Sequence, residues 1–261
     1  MKIFDCFLYN GENFILDIRL NILSKIIDKF VIVESKYDHQ GNKKKLRLNL
    51  DNFSSFKDKI IYLVIDRFPE NLTNWQRENF QRNYLINGLY EADENDYIII
   101  SDIDEIPNLS RLDTLIEHKY SVFEQRMFYY KFNLLNKTNP YWYGSRICKK
   151  KFLKTPQWLR DQKIKKYPFW QFNKIKWNII KNGGWHFSFL MKPNEIQKKI
   201  KSFAHDEYNK NEFLEIENIE KKIISGNDLF NRNQNYKTVD LDDTFPKYIL
   251  DNKKKYNEWI I

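Results

Sequence analysis

Within Tyr97–Pro107, which reads Tyr-Ile-Ile-Ile-Ser-Asp-Ile-Asp-Glu-Ile-Pro, an apolar run gives way to three carboxylates: Asp102, Asp104 and Glu105. Side chains two apart on an extended backbone point the same way, so Asp102 and Asp104 are expected to face one point beyond the end of a strand. Carboxylates held together repel and raise one another's pKa unless something positive joins them. A hard divalent cation, Mg²⁺ or Mn²⁺, meets that need and commonly brings a phosphate with it. An Asp-x-Asp triplet alone carries little weight in a chain with 35 acidic residues, because most such triplets sit on solvated turns. Context supplies the weight. Tyr97–Ile100 suits a strand buried on both faces, Pro107 stops it, and ligands of open α/β sheets bind outside the carboxyl ends of the strands.

The elements that would position this cluster follow from the pattern around it. Lys2–Tyr9 reads as a buried first strand, closed by the turn signal Asn10-Gly11-Glu12. Ile15, Ile18, Ile22 and Ile26 recur at helical spacing and predict a helix ending near Asp28. Phe30–Glu34 and Ile60–Ile65 are two more buried strands, and Trp75–Ala92 reads as a helix leading to the Tyr97 strand. Strands and helices at this spacing predict an α/β fold with a Rossmann-type, mostly parallel sheet flanked by helices. Beyond Pro107 the spacing predicts a helix over Leu109–His118, then a smaller mixed β region from the aromatic runs Tyr120–Leu135 and Tyr141–Phe152. The basic and aromatic stretch Lys163–Lys181 fits no single element. Gly183–Ser188 reads as a glycine pair entering a short strand, with helices at Pro193–Ala204, Glu212–Ser225 and Pro246–Ile261. No repeat or low-complexity linker divides the 261 residues, so a single domain is expected over 1–261. Its halves would be a nucleotide-binding part, about 1–108, and an acceptor-side part, about 109–261.

Composition narrows the classes. At 42% hydrophobic residues with twenty Phe and sixteen Tyr, the chain can bury a proper core. Its formal charge of +9 admits nucleotide phosphates, an anionic membrane surface or nucleic acid without choosing among them. Cys6 and Cys148 lie far apart in apolar runs, which predicts two buried reduced thiols and excludes cysteine-rich zinc sites. With no signal-peptide pattern and no apolar run of membrane-spanning length, the expectation is a soluble, cytoplasmic protein, with peripheral contact at a membrane surface left open. The oligomeric state is not legible.

With these residues assembled, the chain resembles glycosyltransferase family 17, the group of the bisecting β-1,4-N-acetylglucosaminyltransferase. The resemblance rests on Phe-Asp-Cys-Phe at 4–7, Phe-Val-Ile-Val-Glu at 30–34, Trp-Gln-Arg-Glu-Asn-Phe-Gln-Arg-Asn at 75–83 and Ser-Asp-Ile-Asp-Glu-Ile-Pro at 101–107. It continues through Gly-Gly-Trp-His-Phe-Ser at 183–188, Lys-Ile-Lys-Ser-Phe-Ala at 199–204 and Phe-Pro-Lys-Tyr-Ile-Leu at 245–250. It implies a GT-A-like fold, a UDP-sugar donor (UDP-GlcNAc in the best-known members), and inversion at the anomeric carbon during transfer to a hydroxyl of a glycan or glycolipid.

On that reading Asp102 and Asp104 place Mn²⁺ or Mg²⁺ against the donor diphosphate, Asp104 as the direct ligand, Asp102 reaching ribose or a metal-bound water, and Glu105 orienting them. His186 reads either as a packed core histidine or, through the resemblance, as the histidine that completes such a metal site; His205 is its rival. Arg77 and Arg82 are candidates for diphosphate or uracil, although Glu78 and Arg82, four apart, also suit a plain helix ion pair. Glu34, at a strand end, is a further candidate nucleotide contact or a solvated acid. An inverting transfer needs a base for the acceptor hydroxyl, and the candidates are Glu207, Asp206 and Asp161. The aromatics of Tyr141–Tyr143 and Trp158–Trp177 serve either the core or acceptor sugars. Two alternatives stand beside this reading: a metal-dependent nucleotidyltransferase, and a basic nucleic-acid-binding protein. The acid cluster and dispersed lysines argue against nucleic acid, which is not expected as a partner.

Overall fold

In the computed structural model, which describes residues 1–110, 112, 118–165 and 174–261, the first half of the chain alternates strands and helices. β1 (Ile3–Leu8), α1 (Asn13–Leu23), β2 (Lys29–Ser35), β3 (Ile60–Ile65), α2 (Asn74–Tyr84) and β4 (Tyr97–Ser101) follow in order. The four strands pair in parallel as β3-β2-β1-β4, with Cys6 opposite both Val31 and Ile100. These are the apolar runs of the sequence: β1, β2 and β4 are buried on both faces as parallel strands usually are, and β3, at the edge, is half-buried. A capping box starts α2, in which Thr73 accepts from the Gln76 N–H and Gln76 from the Thr73 N–H.

The second half continues the same sheet. It comprises β5 (Glu105–Pro107), β6 (Tyr120–Tyr129), β7 (Leu134–Asn136), β8 (Tyr141–Lys149), α3 (Pro156–Asp161), β9 (Asn178–Ile180), β10 (Gly184–Ser188), α4 (Pro193–Ser202), α5 (Asn211–Leu214), α6 (Ile216–Ser225), β11 (Tyr236–Thr238) and α7 (Lys247–Asp251). β8 lies antiparallel to β4, and β6, β7 and β11 follow outward from it. β10 pairs with both β5 and β6, which carries the glycine-pair segment next to the acid turn. That approach requires the glycines: a Cβ on Gly184, at φ +129°, would meet the Ile106 carbonyl oxygen at 2.2 Å. One apolar cluster packs α1 and the C-terminal segment on one face of the sheet, and another packs α2 and α3 on the other.

Several boundaries differ from the sequence pattern. α1 ends at Leu23, and Ile26 is exposed beyond it, because the chain must turn there to bring Asp28 onto the backbone of Ile3. α2 stops at Tyr84 and tightens into a 3-10 turn, Leu85–Gly88. Gly88 is the reason: a Cβ there would meet Val31 Cγ1 at 2.3 Å, so the chain is held hard against β2. The helix expected over Glu212–Ser225 divides at Glu215, and that expected over Pro246–Ile261 is helical only through Asp251, apart from a final 3-10 turn. Most of the helix expected at Leu109–His118, and the middle of Lys163–Lys181, lie outside the described residues. Cys6 and Cys148 are buried free thiols, and burial pushes the Cys148 thiol up to about 12. Among the described residues no helix is long and apolar enough to cross a membrane.

One correction bears directly on the site. Asp102 and Asp104 do not continue β4 as an extended strand. The strand ends at Ser101, residues 102–104 form a turn closed by the Glu105 N–H on the Asp102 carbonyl, and the chain resumes as β5. Arg19 holds this turn from within. It is fully buried on α1 and grips Asp5 of β1 through Nε (2.8 Å) and Nη2 (2.6 Å). Its Nη1 donates to the carbonyls of Asp102 (3.2 Å), Ile103 (3.1 Å) and Glu105 (2.6 Å). Removing one partner of a buried pair leaves the other charge uncompensated, so Arg19→Ala is expected to cost about 3–5 kcal/mol. Urea unfolding reads this as a lower midpoint at unchanged slope; a loss within the error of the measurement would show the pair to be dispensable.

Candidate functional site

The carboxyl ends of β1, β2 and β4 open into a cleft of about 260 Å³. Its floor is the acid turn, one wall is the α2 face that carries Glu78, Gln81 and Arg82, and α4 closes it with Lys199, Ser202 and the residues that follow. Positions 78, 81 and 82 share a helical face because they are three and four apart. The walls are tied together, since the His39 N–H donates to the Ser202 carbonyl at 3.2 Å and Gln40 Nε2 to the Phe203 carbonyl at 3.0 Å.

The two aspartates of the turn have different partners. Asp102 Oδ1 accepts from Arg82 Nη2 at 3.1 Å and its Oδ2 from Arg160 Nη2 at 3.0 Å. Partial burial in the cleft works to raise its pKa, but the two guanidinium groups outweigh it and hold the carboxyl below its ordinary range. Asp104 faces Lys199 Nζ at 3.4 Å and His186 Nε2 at 3.5 Å. Against the same desolvation, these cations hold it well below the carboxylate range, while Asp104 in turn outweighs burial to raise both His186 and Lys199. Glu105 is fully buried and receives four hydrogen bonds: from Arg160 Nη1 (2.8 Å) and Nη2 (3.0 Å), Trp142 Nε1 (2.7 Å) and the Asp102 N–H (2.9 Å). Arg160, at the end of α3, is aimed by a helix that Thr155 caps and Pro156 starts, and whose last carbonyls Arg146 covers.

Asp102, Asp104, His186 and Arg82 therefore meet in one cleft. Arg77 does not line it: its Nη1 donates to the His39 carbonyl (3.0 Å) and Asn74 Oδ1 (3.2 Å), buttressing the loop after β2. Glu34 is fully buried, and its oxygens accept from Lys44 Nζ, the Tyr62 hydroxyl and the N–H groups of Arg47 and Leu48. It fastens a loop and is no solvated strand-end acid. Asp161 is exposed and bound to Gln157 Nε2 at 2.7 Å. Of Asp206 only the backbone is described, in the 3-10 turn Asp206–Tyr208. Glu207 is exposed but bonded at 2.7 Å to Nδ1 of His205, which lines the cleft. Lys199, Arg160 and Glu12 are site residues that the sequence reading passed over. Lys199 had a signal, because it adjoins the apolar stripe Ile196, Ile200 and Phe203 of α4; Arg160 had none beyond its helix start.

The cleft carries unmet bonding capacity. Of five buried side-chain polar atoms without a partner among the described residues, three belong to cleft residues: Asn10 Oδ1, Arg82 Nε and His186 Nδ1. Its lining holds five carboxylates (Glu12, Asp38, Glu78, Asp102, Asp104) against the fixed cations Lys44, Arg82 and Lys199. A polyphosphate entering there needs further positive charge. Asp104 and His186 offer an oxygen and a nitrogen donor side by side, whereas both oxygens of Asp102 already serve arginines. Among the described residues no three His, Cys, Asp or Glu side chains converge on one point. The one carboxylate of Asp104 suits the common mode in which Mg²⁺ takes one or two carboxylates and completes its shell with phosphate and water, while the His186 imidazole suits a softer ion.

A parallel α/β sheet with an acid turn at its carboxyl edge and a polar cleft beside it is a frame on which a ligand-binding enzyme site can be built. The chain belongs to glycosyltransferase family 17, whose family model matches residues 1–257. Membership sets it among glycosyltransferases rather than nucleotidyltransferases or nucleic-acid binders. It is similar to the beta-1,4-mannosyl-glycoprotein 4-beta-N-acetylglucosaminyltransferases of Homo sapiens and Rattus norvegicus, each 30% identical over 108 residues. That match covers 38% of this chain and 20% of either relative. Among solved structures, 2-C-methyl-D-erythritol 4-phosphate cytidylyltransferase of Francisella tularensis shares 11% identity over 58% of this chain and 74% of that one. Its TM-score of 0.31 carries no argument.

The Arg160–Glu105 contact is expected to act as a unit with Asp102. A double-mutant cycle between Arg160→Ala and Glu105→Gln should give a coupling of about 1–3 kcal/mol in unfolding free energy. A coupling near zero would reduce the clamp to an incidental contact.

Proposed function

We propose that the cleft binds a UDP-sugar, UDP-GlcNAc in the first instance, and that the chain transfers the sugar with inversion to a hydroxyl of a glycan or glycolipid. The observation that carries this is the convergence of Asp102, Asp104, His186, Arg82 and Lys199, from four separate elements, on one cleft at the carboxyl edge of the parallel sheet. The relatives' name supports GlcNAc as the sugar moved and a mannose of a glycoprotein as the first acceptor to try.

In this reading the acceptor oxygen attacks the anomeric carbon, the bond from that carbon to the diphosphate breaks, and UDP leaves on the opposite side. Lys199 and Arg82 supply positive charge where charge builds on the departing diphosphate. A divalent cation, Mn²⁺ or Mg²⁺, held by Asp104 and His186 would add Lewis-acid stabilisation of that leaving group. Arg160 and Arg82 keep Asp102 ionised and fixed as a polar contact for the nucleotide. Arg77 and Glu34 act on the donor only through the loops they hold. For the acceptor proton we assign Glu207 acting through His205, whose Nδ1 it orients. Asp161 and Asp206 are not assigned this role.

Calorimetry with UDP, with and without Mn²⁺, tests the donor site. Binding strengthened by the metal in wild type and lost in Asp104→Ala is expected, with Arg82→Ala weakening UDP by about tenfold or more through a lost charge-assisted bond. Arg77→Ala should stay within about threefold, as expected of an indirect contact. No UDP binding with either metal would sink the reading. For the base, Glu207→Gln should lower kcat by about 10²–10⁴ while leaving UDP affinity unchanged. If the loss falls instead on Glu12→Gln, the cleft acid beside Lys199 holds the role.

A further inference from the structure

We propose that Trp142 is the stacking platform for a sugar ring of the acceptor, an inference that rests on the donor-site reading above. β8 runs antiparallel to β4, with Ile100 opposite Arg146, so residues before Arg146 overhang the carboxyl end of β4 and the acid turn. At that overhang three consecutive aromatics are exposed: Tyr141 by 57%, Trp142 by 43% and Tyr143 by 38%. The next five residues of the strand are buried. Side chains alternate along a strand, so Trp142 faces away from Tyr141 and Tyr143, and it is the indole that stands beside the site residues His186 and Glu105.

Trp142 is also fixed. Its indole N–H donates to Oε1 of the fully buried Glu105 at 2.7 Å. Gly144 leaves it no slack, because a Cβ there would meet Trp142 Cδ1 at 2.9 Å and Gln125 Oε1 at 1.9 Å. The same carboxylate that clamps Arg160 onto Asp102 therefore sets the plane of a half-exposed indole. A ring whose orientation is settled before binding loses little freedom when a ligand stacks on it.

The surroundings select the ligand class. The indole centroid lies 5.7 Å from that of His186, and Glu105 and Arg160 stand beside it. An apolar ring face beside the unpartnered Nδ1 of His186 matches a pyranose, which offers one face of C–H bonds and a rim of hydroxyls. A purely apolar peptide would leave that nitrogen unpaired. We assign the ring to the acceptor and not the donor, because Trp142 adjoins the cleft residue His186 without itself lining the cleft.

Saturation-transfer NMR tests this with methyl β-mannopyranoside and chitobiose as probes and UDP with the diamagnetic Mg²⁺ as the internal reference, on wild type, Trp142→Ala and Trp142→Phe. Expected are ring C–H signals from at least one sugar on wild type, reduced about fivefold or more in Trp142→Ala and largely kept in Trp142→Phe, in line with the worth of an aromatic contact. The UDP signals should be the same on all three proteins. Sugar signals undiminished in Trp142→Ala, or no sugar signal on wild type beside a clear UDP signal, would overturn the platform and leave the donor site standing. UDP signals lost together with sugar signals in Trp142→Ala would make Trp142 a structural support of the cleft and would equally overturn it. UDP silent on wild type would overturn the donor-site reading, and this inference with it.

Discussion

A buried arginine decides where the acid turn sits. Arg19 and Asp5 are both fully buried, and a pair so placed holds only if every donor and acceptor is met. Asp5 takes two of the guanidinium nitrogens and three carbonyls of the turn take the third. The Asp102 and Ile103 carbonyls lie past the end of β4, and Arg19 bonds them there, beside the Glu105 N–H on the Asp102 carbonyl and the Ser145 hydroxyl on the Glu105 carbonyl. A hydrophobic residue at 19 could fill the space but could not satisfy the turn. The site's geometry is thus written into the core between β1 and α1, one layer beneath the surface where ligands arrive.

Above that layer Glu105 distributes the constraint. It accepts from Asp102's own N–H, from both terminal nitrogens of Arg160, and from Trp142. Through it α3, β8 and the acid turn share one carboxylate, and a shift in any of them is felt by the others. Asp102 is consequently a rigid, arginine-bound group. Among the described residues the Asp104 carboxylate meets a lysine and a histidine at 3.4 and 3.5 Å, contacts loose enough to be exchanged for a ligand.

Much of this was legible in the sequence where chemistry and spacing coincided. The four parallel strands stood out as β-branched runs, the acid turn as a charge change at a strand end, and His186 as a polar residue behind two glycines. Arg82 was legible as a candidate, yet Arg77 carried the same residue type in the same motif. Only its position on the helix relative to the cleft separates them. Glu34 shows the converse: a carboxylate at a strand end reads alike whether it faces ligand or, as here, four donors of its own chain. Asp102 and Asp104 were grouped correctly by type, but period-two reasoning presumes an extended backbone, and Arg19 stabilises a turn instead. Arg160 and Lys199 reach the aspartates across 58 and 95 residues, and pairings at such separations leave no trace in local pattern. The signal that was present lay in Asp5 and Arg19, two charges at positions the periodicity marks as buried.

The separations that hide these partners also set an order of assembly. The acid turn is complete once residue 105 has been made, but the cations that neutralise it from the second half, Arg160, His186 and Lys199, are synthesised 55 to 94 residues later. Until then the emerging chain presents Asp102, Asp104 and Glu105 with Arg19 on the turn's carbonyls and Arg82 on the Asp102 carboxylate. Residues 1–108 expressed alone would hold a cluster of like charges at the edge of an unfinished sheet. The first half is chemically unfinished without the second.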